Sequence, residues 1–221
     1  MPEIKAKAII WDMDGVIVDT GPYHLSAWQE VFRKRGIKFT KEDFLRNFGR
    51  KNDTIIRDTL GEQIAQDEID SIAQEKEETF RRLGGQKITT FPGAVELIKS
   101  LRKHRFKMAI ASSTTMENIR LITGSLGIDN CFQSIVTGQD VTEGKPSPQS
   151  FLLAAQRLGV EPKNCIVIED SVAGVTAAKR AGMRCLAITN THPRERLAEA
   201  DLIVDTLEAV TVNDLEKFLK P

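Results

Sequence analysis

Residues 8–20, AIIWDMDGVIVDT, constrain the fold and the chemistry of this chain more than any other segment. The four consecutive apolar residues predict a short strand that is buried on both faces of a sheet. Asp12 and Asp14 follow, and side chains two positions apart on an extended chain point the same way, so both carboxylates are expected to face one cavity. Gly15 then allows a sharp turn. An isolated Asp-x-Asp-Gly is also typical of a solvated turn, so its meaning depends on the rest of the chain.

Strands and helices alternate regularly in the second part of the chain. Five apolar segments there are predicted strands: 106–111, 134–136, 165–168, 184–188 and 202–204. Helical periodicity separates them, and the helix before residue 165 is expected to begin with Ser147 as its N-cap. This alternation predicts an α/β fold with a doubly wound parallel sheet.

Residues 21–88 interrupt this pattern, because they contain apolar residues at helical spacing and no convincing strand. The longest helix there, predicted over residues 67–83 and ended by Gly84-Gly85, is very charged, and its charged side is expected to face solvent. The first strand is therefore separated from the others by a helical insertion. We predict a core domain formed by residues 1–20 and 89–221, and a helical cap domain formed by residues 21–88.

Polar side chains follow four of the predicted core strands. They are Asp12 and Asp14, the run from Ser112 to Thr115, Lys145 in Gly144-Lys145-Pro146, and Glu169 with Asp170. Each group alone has an ordinary interpretation: a lone Lys is typical of a surface, and Ser113 or Thr114 is expected to cap a helix. The carboxyl ends of parallel strands meet at one edge, however, so four such groups together predict a functional site.

This set of groups suits phosphoryl transfer through a covalent intermediate. A carboxylate with an ordinary pKa of about 3.9 is ionised at neutral pH and can attack phosphorus, but a phosphate dianion repels it unless a cation neutralises both. Carboxylate oxygens suit Mg²⁺, and a lysine balances the remaining charge. A hydroxyl with backbone N–H groups then holds a non-bridging oxygen.

Four segments, in order along the chain, resemble the four motifs of the haloacid dehalogenase superfamily: DMDGVIVDT, ASS, GKPSP and IEDS. The resemblance extends over the whole chain and includes the helical insertion as the cap. It is strongest for the β-phosphoglucomutase-like branch, which also contains small sugar-phosphate phosphatases. It implies an α/β core with a helical cap, Mg²⁺ as the cofactor and a small phosphorylated metabolite as the substrate.

The resemblance also assigns roles to residues of the core motifs. Asp12 corresponds to the nucleophile that forms an aspartyl phosphate, and Asp14 to the general acid/base. Ser112 corresponds to the group that binds the transferring phosphoryl group, and Lys145 to the cation that neutralises charge between nucleophile and phosphate.

A metal site is implied at the same edge. Mg²⁺ would be held by the Asp12 carboxylate, the Asp14 backbone carbonyl and Asp170, with Glu169 bound directly or through water. Asp14 also argues against carbon–halogen displacement, because the dehalogenases that name the superfamily lack an acid there. As an acid it must protonate a leaving alkoxide, which requires a carboxyl kept protonated by cap closure and its neighbours.

The cap residues leave two related activities open. In the mutases of this branch the cap also grips a second, non-reacting phosphate, and a His near the first cap helix assists the acid/base. The segment from Tyr23 to Trp28 matches that pattern, as it does in some phosphatases, with Thr20 at the hinge. Lys76 matches the cap lysine of the pattern, although it stands in a run of charges. The residues expected to contact the substrate are Thr20, His24, Trp28, Arg50, Lys51, Asn52, Lys76, Ser113 and Thr114.

One departure from the pattern favours a phosphatase over a mutase. The mutase pattern has an Arg three places after the loop glycine, where this chain has Asn52, preceded by Arg50 and Lys51. A bidentate guanidinium is hard to replace at a phosphate. We therefore expect a phosphatase acting on small phosphorylated metabolites, with a β-phosphoglucomutase-type activity as the alternative.

Composition argues against several other classes. The 31 Lys and Arg residues balance 31 Asp and Glu residues, so charge gives no reason to expect nucleic acid or a membrane surface as partner. Three widely spaced cysteines favour neither a disulfide framework nor a zinc site, and are expected to be buried in a reducing compartment. We find no signal peptide or long apolar run, and expect a cytoplasmic monomer.

A non-enzymatic class combines similar groups. Response-regulator receivers also place an acidic pair, an acceptor Asp, a hydroxyl and a Lys on a parallel sheet. Their acceptor Asp lies on a later strand than the acidic pair, however, and they are much shorter and have no cap. A phospho-acceptor or binding protein is therefore only a remote alternative.

Overall fold

A computed structural model describes residues 7–84 and 87–219 of the chain. The strands in these ranges are β1 (Ala8–Trp11), β2 (Val18–Asp19), β3 (Thr89–Thr90), β4 (Lys107–Ala111), β5 (Ser134–Val136), β6 (Cys165–Glu169), β7 (Arg184–Ile188) and β8 (Leu202–Val204). Six of these described strands form one parallel sheet in the order β5-β4-β1-β6-β7-β8. The remaining two, β2 and β3, pair antiparallel.

Helices cover both faces of the sheet. In chain order the helices are α1 (Gly21–Arg33), α2 (Lys41–Asn47), α3 (Asn52–Leu60), α4 (Gln66–Gly84), α5 (Ala94–Lys103), α6 (Met116–Ser125), α7 (Gln149–Leu158), α8 (Val172–Arg180) and α9 (Val212–Phe218). Apolar residues of α5, α6 and α9 pack on one face, and those of α7 and α8 on the other. The doubly wound parallel sheet predicted from the alternation is therefore confirmed. Within the described ranges, every helix is too short or too polar to span a membrane.

The first strand, β1, lies in the middle of the sheet between β4 and β6. All four of its residues are fully buried. Ile9 and Trp11 join the apolar cluster on one face, whereas Ala8 and Ile10 join the cluster on the other, as the alternation of side chains along a strand requires. The prediction that this strand is buried on both faces is confirmed. It fixes the position at which the following aspartates emerge.

Helices α1 to α4 form a separate apolar cluster of their own. Its rings include Trp28, Phe32 and Phe39, with centroids 5.1 Å apart between the first two and 5.1 Å between the last two. Helix α2 begins after Thr40 in a capping box with Asp43. The domain boundaries at residues 20 and 88 stay a prediction, and Gly85, part of the predicted end of α4, lies outside the described residues.

Two local features differ from the sequence-based expectation. The N-cap position of α7 is occupied by Pro148, without a side-chain hydrogen bond, so the prediction for Ser147 is wrong. The amide of Ser147 is used instead in a turn with the carbonyl of Gly144. The β2–β3 pair was not expected, because two-residue strands are too short to show a periodicity.

The cysteines are buried and form no disulfide, as predicted from their spacing. Cys165 and Cys185 lie on adjacent strands of the sheet. Burial raises the pKa of both thiols, that of Cys165 to about 12, so they remain protonated at neutral pH. They act as small apolar residues of the core.

Between α4 and α5, the chain passes very close to the backbone of Glu208 at Gly93. This residue has a φ of 81°, and an added Cβ would lie 2.4 Å from the backbone nitrogen of Glu208. Gly182 has a similar φ of 70°, but an added Cβ there would meet no atom within 4 Å. A comparison of the two glycines therefore distinguishes the effect of a positive φ, which both have, from the effect of close packing, which only Gly93 has.

We expect Gly93→Ala to lower the free energy of unfolding more than Gly182→Ala does. Both substitutions place Ala at a positive φ, which costs about 1–2 kcal/mol. Only Gly93→Ala also pushes against backbone, and overpacking adds about 1–3 kcal/mol. Urea unfolding of both variants measures the difference, and equal losses would contradict the close approach at Gly93.

Candidate active site

The register of the central strands brings the predicted site residues to one edge of the sheet. Trp11, the last residue of β1, lies opposite Ile110 of β4 and Ile168 of β6. The amide of Asp12 then donates to the carbonyl of Ile168 at 3.0 Å, so the chain is still held against β6 as it leaves the sheet. Glu169, the next residue of β6, therefore lies beside Asp12 at the carboxyl edge of the sheet.

Lys145 lies between these two carboxylates. Its Nζ donates to Asp12 Oδ1 at 2.5 Å and to Glu169 Oε1 at 2.6 Å. Burial lowers the pKa of Lys145, but the two carboxylates outweigh this effect and raise it above its ordinary value, so the ammonium stays charged. Burial raises the pKa of Asp12 to about 8; Lys145 opposes this change, whereas Glu169 and Asp14 reinforce it. With Lys145 as its main charged partner, Asp12 is poorly stabilised as a carboxylate.

Asp14 has the opposite environment. Its Oδ1 accepts hydrogen bonds from Thr20 Oγ1 at 2.6 Å and from His24 Nε2 at 3.3 Å, and its Oδ2 accepts one from Ser112 Oγ at 3.2 Å. Burial raises the pKa of Asp14, but the hydrogen bonds from His24 and Thr20, with the nearby Lys76 ammonium, lower it below its ordinary value. The expectation of a protonated Asp14 is therefore not met in this arrangement. The carboxylate is held ionised, which is the form that accepts a proton.

The hydroxyl cluster after β4 connects the sheet edge to the helical segment. Ser112 Oγ accepts the amide of Thr114 at 3.2 Å, and Ser113 Oγ donates to the carbonyl of Gly49 at 2.7 Å. Thr115 occupies the N-cap of α6 without a side-chain hydrogen bond, so the prediction that Ser113 or Thr114 caps this helix is wrong. Ser113 thus makes a tertiary contact, whereas Thr114 Oγ1 makes a local one by accepting from the side chain of Asn118 in α6 at 2.8 Å.

Three buried carboxylates gather at the same edge. One oxygen from each of Asp12, Glu169 and Asp170 lies within 4.8 Å of the others. Asp170 Oδ2 accepts a hydrogen bond from Thr191, but the buried Asp170 Oδ1 has no hydrogen-bond partner among the described residues. Burial, followed by the charges of Glu169 and Asp12, raises the pKa of Asp170 well above its ordinary value. An added Cβ at Gly15 would lie 1.9 Å from Asp170 Oδ2, so only glycine leaves room for this carboxylate.

These groups fit a hard divalent cation. Mg²⁺ binds carboxylate oxygens, and an unpartnered buried oxygen such as Asp170 Oδ1 is unfavourable unless it finds a ligand. Both carboxylate oxygens of Glu169 already have hydrogen-bond partners. Oε1 accepts from Lys145, and Oε2 accepts from the amides of Asp170 and Ser171 at 2.8 Å each. The geometry therefore favours Asp12 and Asp170 as direct ligands and Glu169 as an indirect one.

A pocket opens between the sheet edge and helices α1 to α4. The predicted residues that line it are Asp12, Asp14, His24, Trp28, Arg50, Asn52, Lys76, Ser112, Ser113 and Thr114. The other predicted residues lie outside its lining: Thr20, Lys51, Lys145, Glu169 and Asp170. The structure thus brings core and cap residues to one pocket.

Lys76 is buried in this pocket, although a charged run is typical of a solvated helix face. Its Nζ lies 2.8 Å from His24 Nδ1 and 5.3 Å from the centroid of the Trp28 ring. An ammonium group only donates, so His24 Nδ1 accepts and Nε2 carries the hydrogen that is donated to Asp14. Lys76 therefore sets the tautomer of the histidine that contacts Asp14.

Arg50 and Lys51, predicted as cations for the substrate, have other partners. Arg50 Nη1 donates to Asp58 Oδ2 at 2.6 Å and to Asn47 Oδ1 at 2.9 Å. Lys51 Nζ donates to the backbone carbonyl of Val141 at 3.0 Å. Lys51 thus links the helical segment to a loop that follows β5, and it is not among the residues that line the pocket.

Glu77, which lines the pocket, and its hydrogen-bond partner Asn118 were not singled out from the sequence. Glu77 Oε1 accepts from Asn52 at 2.7 Å and from Lys76 at 2.7 Å, and Oε2 accepts from Asn118 at 2.6 Å. Burial raises the pKa of Glu77, but Lys76 and the other donors lower it to about 2. A signal was present, because Lys76 and Glu77 lie four and three positions before the buried Phe80, on the apolar stripe of α4.

Known proteins resemble this chain over most of its length. The family described as haloacid dehalogenase-like hydrolase matches residues 9–188. Validoxylamine A 7'-phosphate phosphatase of Streptomyces hygroscopicus subsp. limoneus is 31% identical over 92% of this chain and 95% of its own length. Hexitol phosphatase A of Escherichia coli is 31% identical over 95% of each chain. The crystal structure of β-phosphoglucomutase from Clostridium difficile has a TM-score of 0.88 and 28% identity, with 97% of each chain covered.

These matches agree with the four motifs and with the sheet order, and they extend across both the sheet and the helical insertion. They confirm the family and branch that the motifs predicted. The chain belongs to the haloacid dehalogenase-like hydrolases, in the β-phosphoglucomutase-like and sugar-phosphate phosphatase branch.

Proposed function

We propose that this chain is a Mg²⁺-dependent phosphatase that hydrolyses small phosphorylated metabolites, most of all sugar phosphates, through an aspartyl phosphate at Asp12. The observation that carries the proposal is the pair of aspartates in one pocket with opposite environments. Asp12 touches Lys145, whereas Asp14 is held ionised by Thr20 and His24. The names of the related phosphatases support the same reaction class.

In the first half of the reaction a carboxylate oxygen of Asp12 forms a bond to phosphorus, and the bond between phosphorus and the ester oxygen breaks. The leaving alkoxide takes a proton from Asp14, which must carry one at that moment. Ser112, at the end of β4, and Lys145 donate toward the charge that develops on the phosphoryl oxygens. The sugar then leaves as the alcohol.

In the second half a water molecule gives a proton to Asp14 and attacks phosphorus. The bond from phosphorus to Asp12 breaks, which restores the carboxylate and releases inorganic phosphate. The ionised Asp14 of this structure is the form that this half requires. His24 and Lys76 support it, because Lys76 directs the His24 Nε2 hydrogen to Asp14.

The carboxylates at the sheet edge fit Mg²⁺ as the cofactor. Asp12, Asp170 and the backbone carbonyl of Asp14 would hold it, with Glu169 acting through its hydrogen bonds. When bound, the ion supplies positive charge that offsets the repulsion between a carboxylate nucleophile and a phosphate dianion.

A mutase of the β-phosphoglucomutase type is the second candidate. The buried contact between Lys76 and His24 in the pocket favours it, as does the likeness to a solved β-phosphoglucomutase. Asn52 disfavours it, because it stands where the mutase pattern has an Arg, and its amide is bonded to Glu77. We therefore favour hydrolysis.

Asp12→Asn should lose turnover of a sugar monophosphate at least about 10³-fold, since an amide is a poor nucleophile. Asp14→Asn should instead accumulate protein heavier by one phosphoryl group, because transfer to Asp12 proceeds slowly and the water-activating base is missing. Phosphate release and intact-protein mass spectrometry measure these two outcomes. The exposed Asp129→Asn is the control, and substantial turnover by Asp12→Asn would refute the mechanism.

The same Asp12→Asn substitution should stabilise the metal-free protein. An acid whose pKa rises from 3.8 to about 8 on folding lowers stability progressively as pH increases between those values. At pH 7 in EDTA we expect the variant to gain at least about 1 kcal/mol over the wild type, and less than that near pH 4.

Chemical denaturation at both pH values measures this gain, with Asp129→Asn again as the control. Added Mg²⁺ should stabilise the wild type more than Asp12→Asn, because the variant has lost one charged ligand. A variant that is less stable than the wild type at pH 7 in EDTA would contradict the crowding of charge at Asp12.

Hydrolysis and isomerisation can be compared directly in one preparation. We expect inorganic phosphate to be released from small sugar monophosphates faster than β-glucose 1-phosphate becomes glucose 6-phosphate. The isomerisation assay includes a trace of β-glucose 1,6-bisphosphate. Loss of one charge-assisted bidentate contact, as at Asn52, weakens phosphate binding by about 1.5–3 kcal/mol. Isomerisation that outpaces phosphate release would reverse the choice.

A further inference from the structure

A buried carboxylate of helix α4, Glu77, lines the pocket that also holds the reacting aspartates. Glu77 lines the pocket together with Asp12 and Asp14, and only 3% of its surface is exposed. Its three described partners are all donors: the Asn52 and Asn118 amides and the Lys76 ammonium. These donors fix the carboxylate in the ionised form and in one orientation.

The cations on the cap side of the pocket are already neutralised. Among the described residues, Arg50 and Lys76 are the Arg and Lys side chains that line it. Lys76 pairs with Glu77 at 2.7 Å, and Arg50 pairs with Asp58 at 2.6 Å. A second phosphate on the substrate would therefore meet no uncompensated cation there, and it would face the charge of Glu77.

A hydroxylated group meets a different environment. A carboxylate has about four acceptor positions, and three donors occupy Glu77, so an O–H group of the substrate can still donate to it. The amide oxygen of Asn52 adds a neutral acceptor nearby. A sugar or polyol end can use these acceptors without bringing a charge into a buried site.

Resting on the phosphatase function proposed above, we propose that Glu77 selects the substrate. It directs this pocket toward monophosphates whose non-reacting end is uncharged and hydroxylated, and against sugar bisphosphates. The reason is that a buried carboxylate, bonded to three donors, lines the same pocket as the reacting aspartates, where a substrate held at Asp12 brings its non-reacting end. In Glu77→Gln the charge is removed while the size is kept, so Lys76 becomes free to neutralise a second phosphate.

A purely structural role for Glu77 predicts a different effect of its substitution on activity. If Glu77 only held Lys76 and Asn52 in place, its loss would lower activity toward all substrates by a similar factor. The deciding quantity is the selectivity, defined as kcat/KM for fructose 1-phosphate divided by kcat/KM for fructose 1,6-bisphosphate. These two compounds differ only in the distal phosphate, and whichever end of the bisphosphate reacts, the other end is charged.

Phosphate release should be measured with both compounds for the wild type, Glu77→Gln and Glu78→Gln. Glu78 is exposed on the same helix and bonds to Gln74, so its variant makes the same change of net charge away from the pocket. We expect a wild-type selectivity of at least about 100-fold, a fall of at least about tenfold in Glu77→Gln, and no change in Glu78→Gln. Thermal unfolding shows whether each variant is folded.

Each of the other outcomes refutes either the role of Glu77 or the phosphatase function. A wild-type selectivity near one, or an unchanged selectivity in a folded Glu77→Gln, refutes the role of Glu77 and leaves the phosphatase function standing. If the wild type releases no phosphate from either sugar or from p-nitrophenyl phosphate with Mg²⁺, the phosphatase function fails. In that case, calorimetry of the two fructose phosphates with Asp12→Asn tests substrate selection without turnover. Equal binding of the two compounds, or no binding of either, refutes the role of Glu77.

Discussion

Crowded negative charge at the carboxyl edge of the sheet is the constraint on which the site depends. Asp12, Glu169 and Asp170 are brought together because β1 and β6 are adjacent and in register, with Trp11 opposite Ile168. At such separations each like-charged pair is unfavourable by roughly 3 kcal/mol with an effective dielectric constant near 20. Lys145 offsets only part of this repulsion, and Asp170 Oδ1 keeps no partner among the described residues. The core thus stores an unfavourable charge distribution that a bound cation would relieve, which is a common exchange of stability for activity.

A second buried charge system, in the helical segment, meets the first at the pocket. Lys76 contacts His24, and His24 contacts Asp14, so the protonation of Asp14 depends on residues from α1 and α4 as well as on β1. Its low pKa is therefore a property of how the helices sit over the sheet edge. The two aspartates are two residues apart in the chain, and burial raises the pKa of both. At Asp12 burial prevails, whereas at Asp14 the hydrogen bonds and the nearby Lys76 together outweigh it.

Contacts between the helical segment and the sheet edge hold this arrangement together. Ser113 donates to the carbonyl of Gly49, and Lys51 donates to that of Val141. An added Cβ at Gly144 would lie 2.5 Å from the Lys51 side chain, so the lysine stem is closely packed as well. Residues that the motif pattern suggests for substrate thus position the two parts of the pocket. Lys76, Glu77 and Asn52 then determine the charge that the non-reacting end of the substrate meets.

Local periodicity and the edge rule for parallel sheets were enough to predict from the sequence which strand ends carry the reactive side chains. The apolar run before Asp12, the strand ends before Ser112 and Glu169, and the helical insertion all follow from patterns within short windows, which the backbone imposes on any chain. Tertiary structure alone decided the partners of the cap residues. Lys76 looked solvated because its neighbours are charged, and Glu77 gave no motif. Both are buried because Asn52, Asn118 and His24, distant in sequence, supply hydrogen bonds that make burial of their charges favourable. Such pairings depend on how helices pack, and no spacing along the chain encodes them.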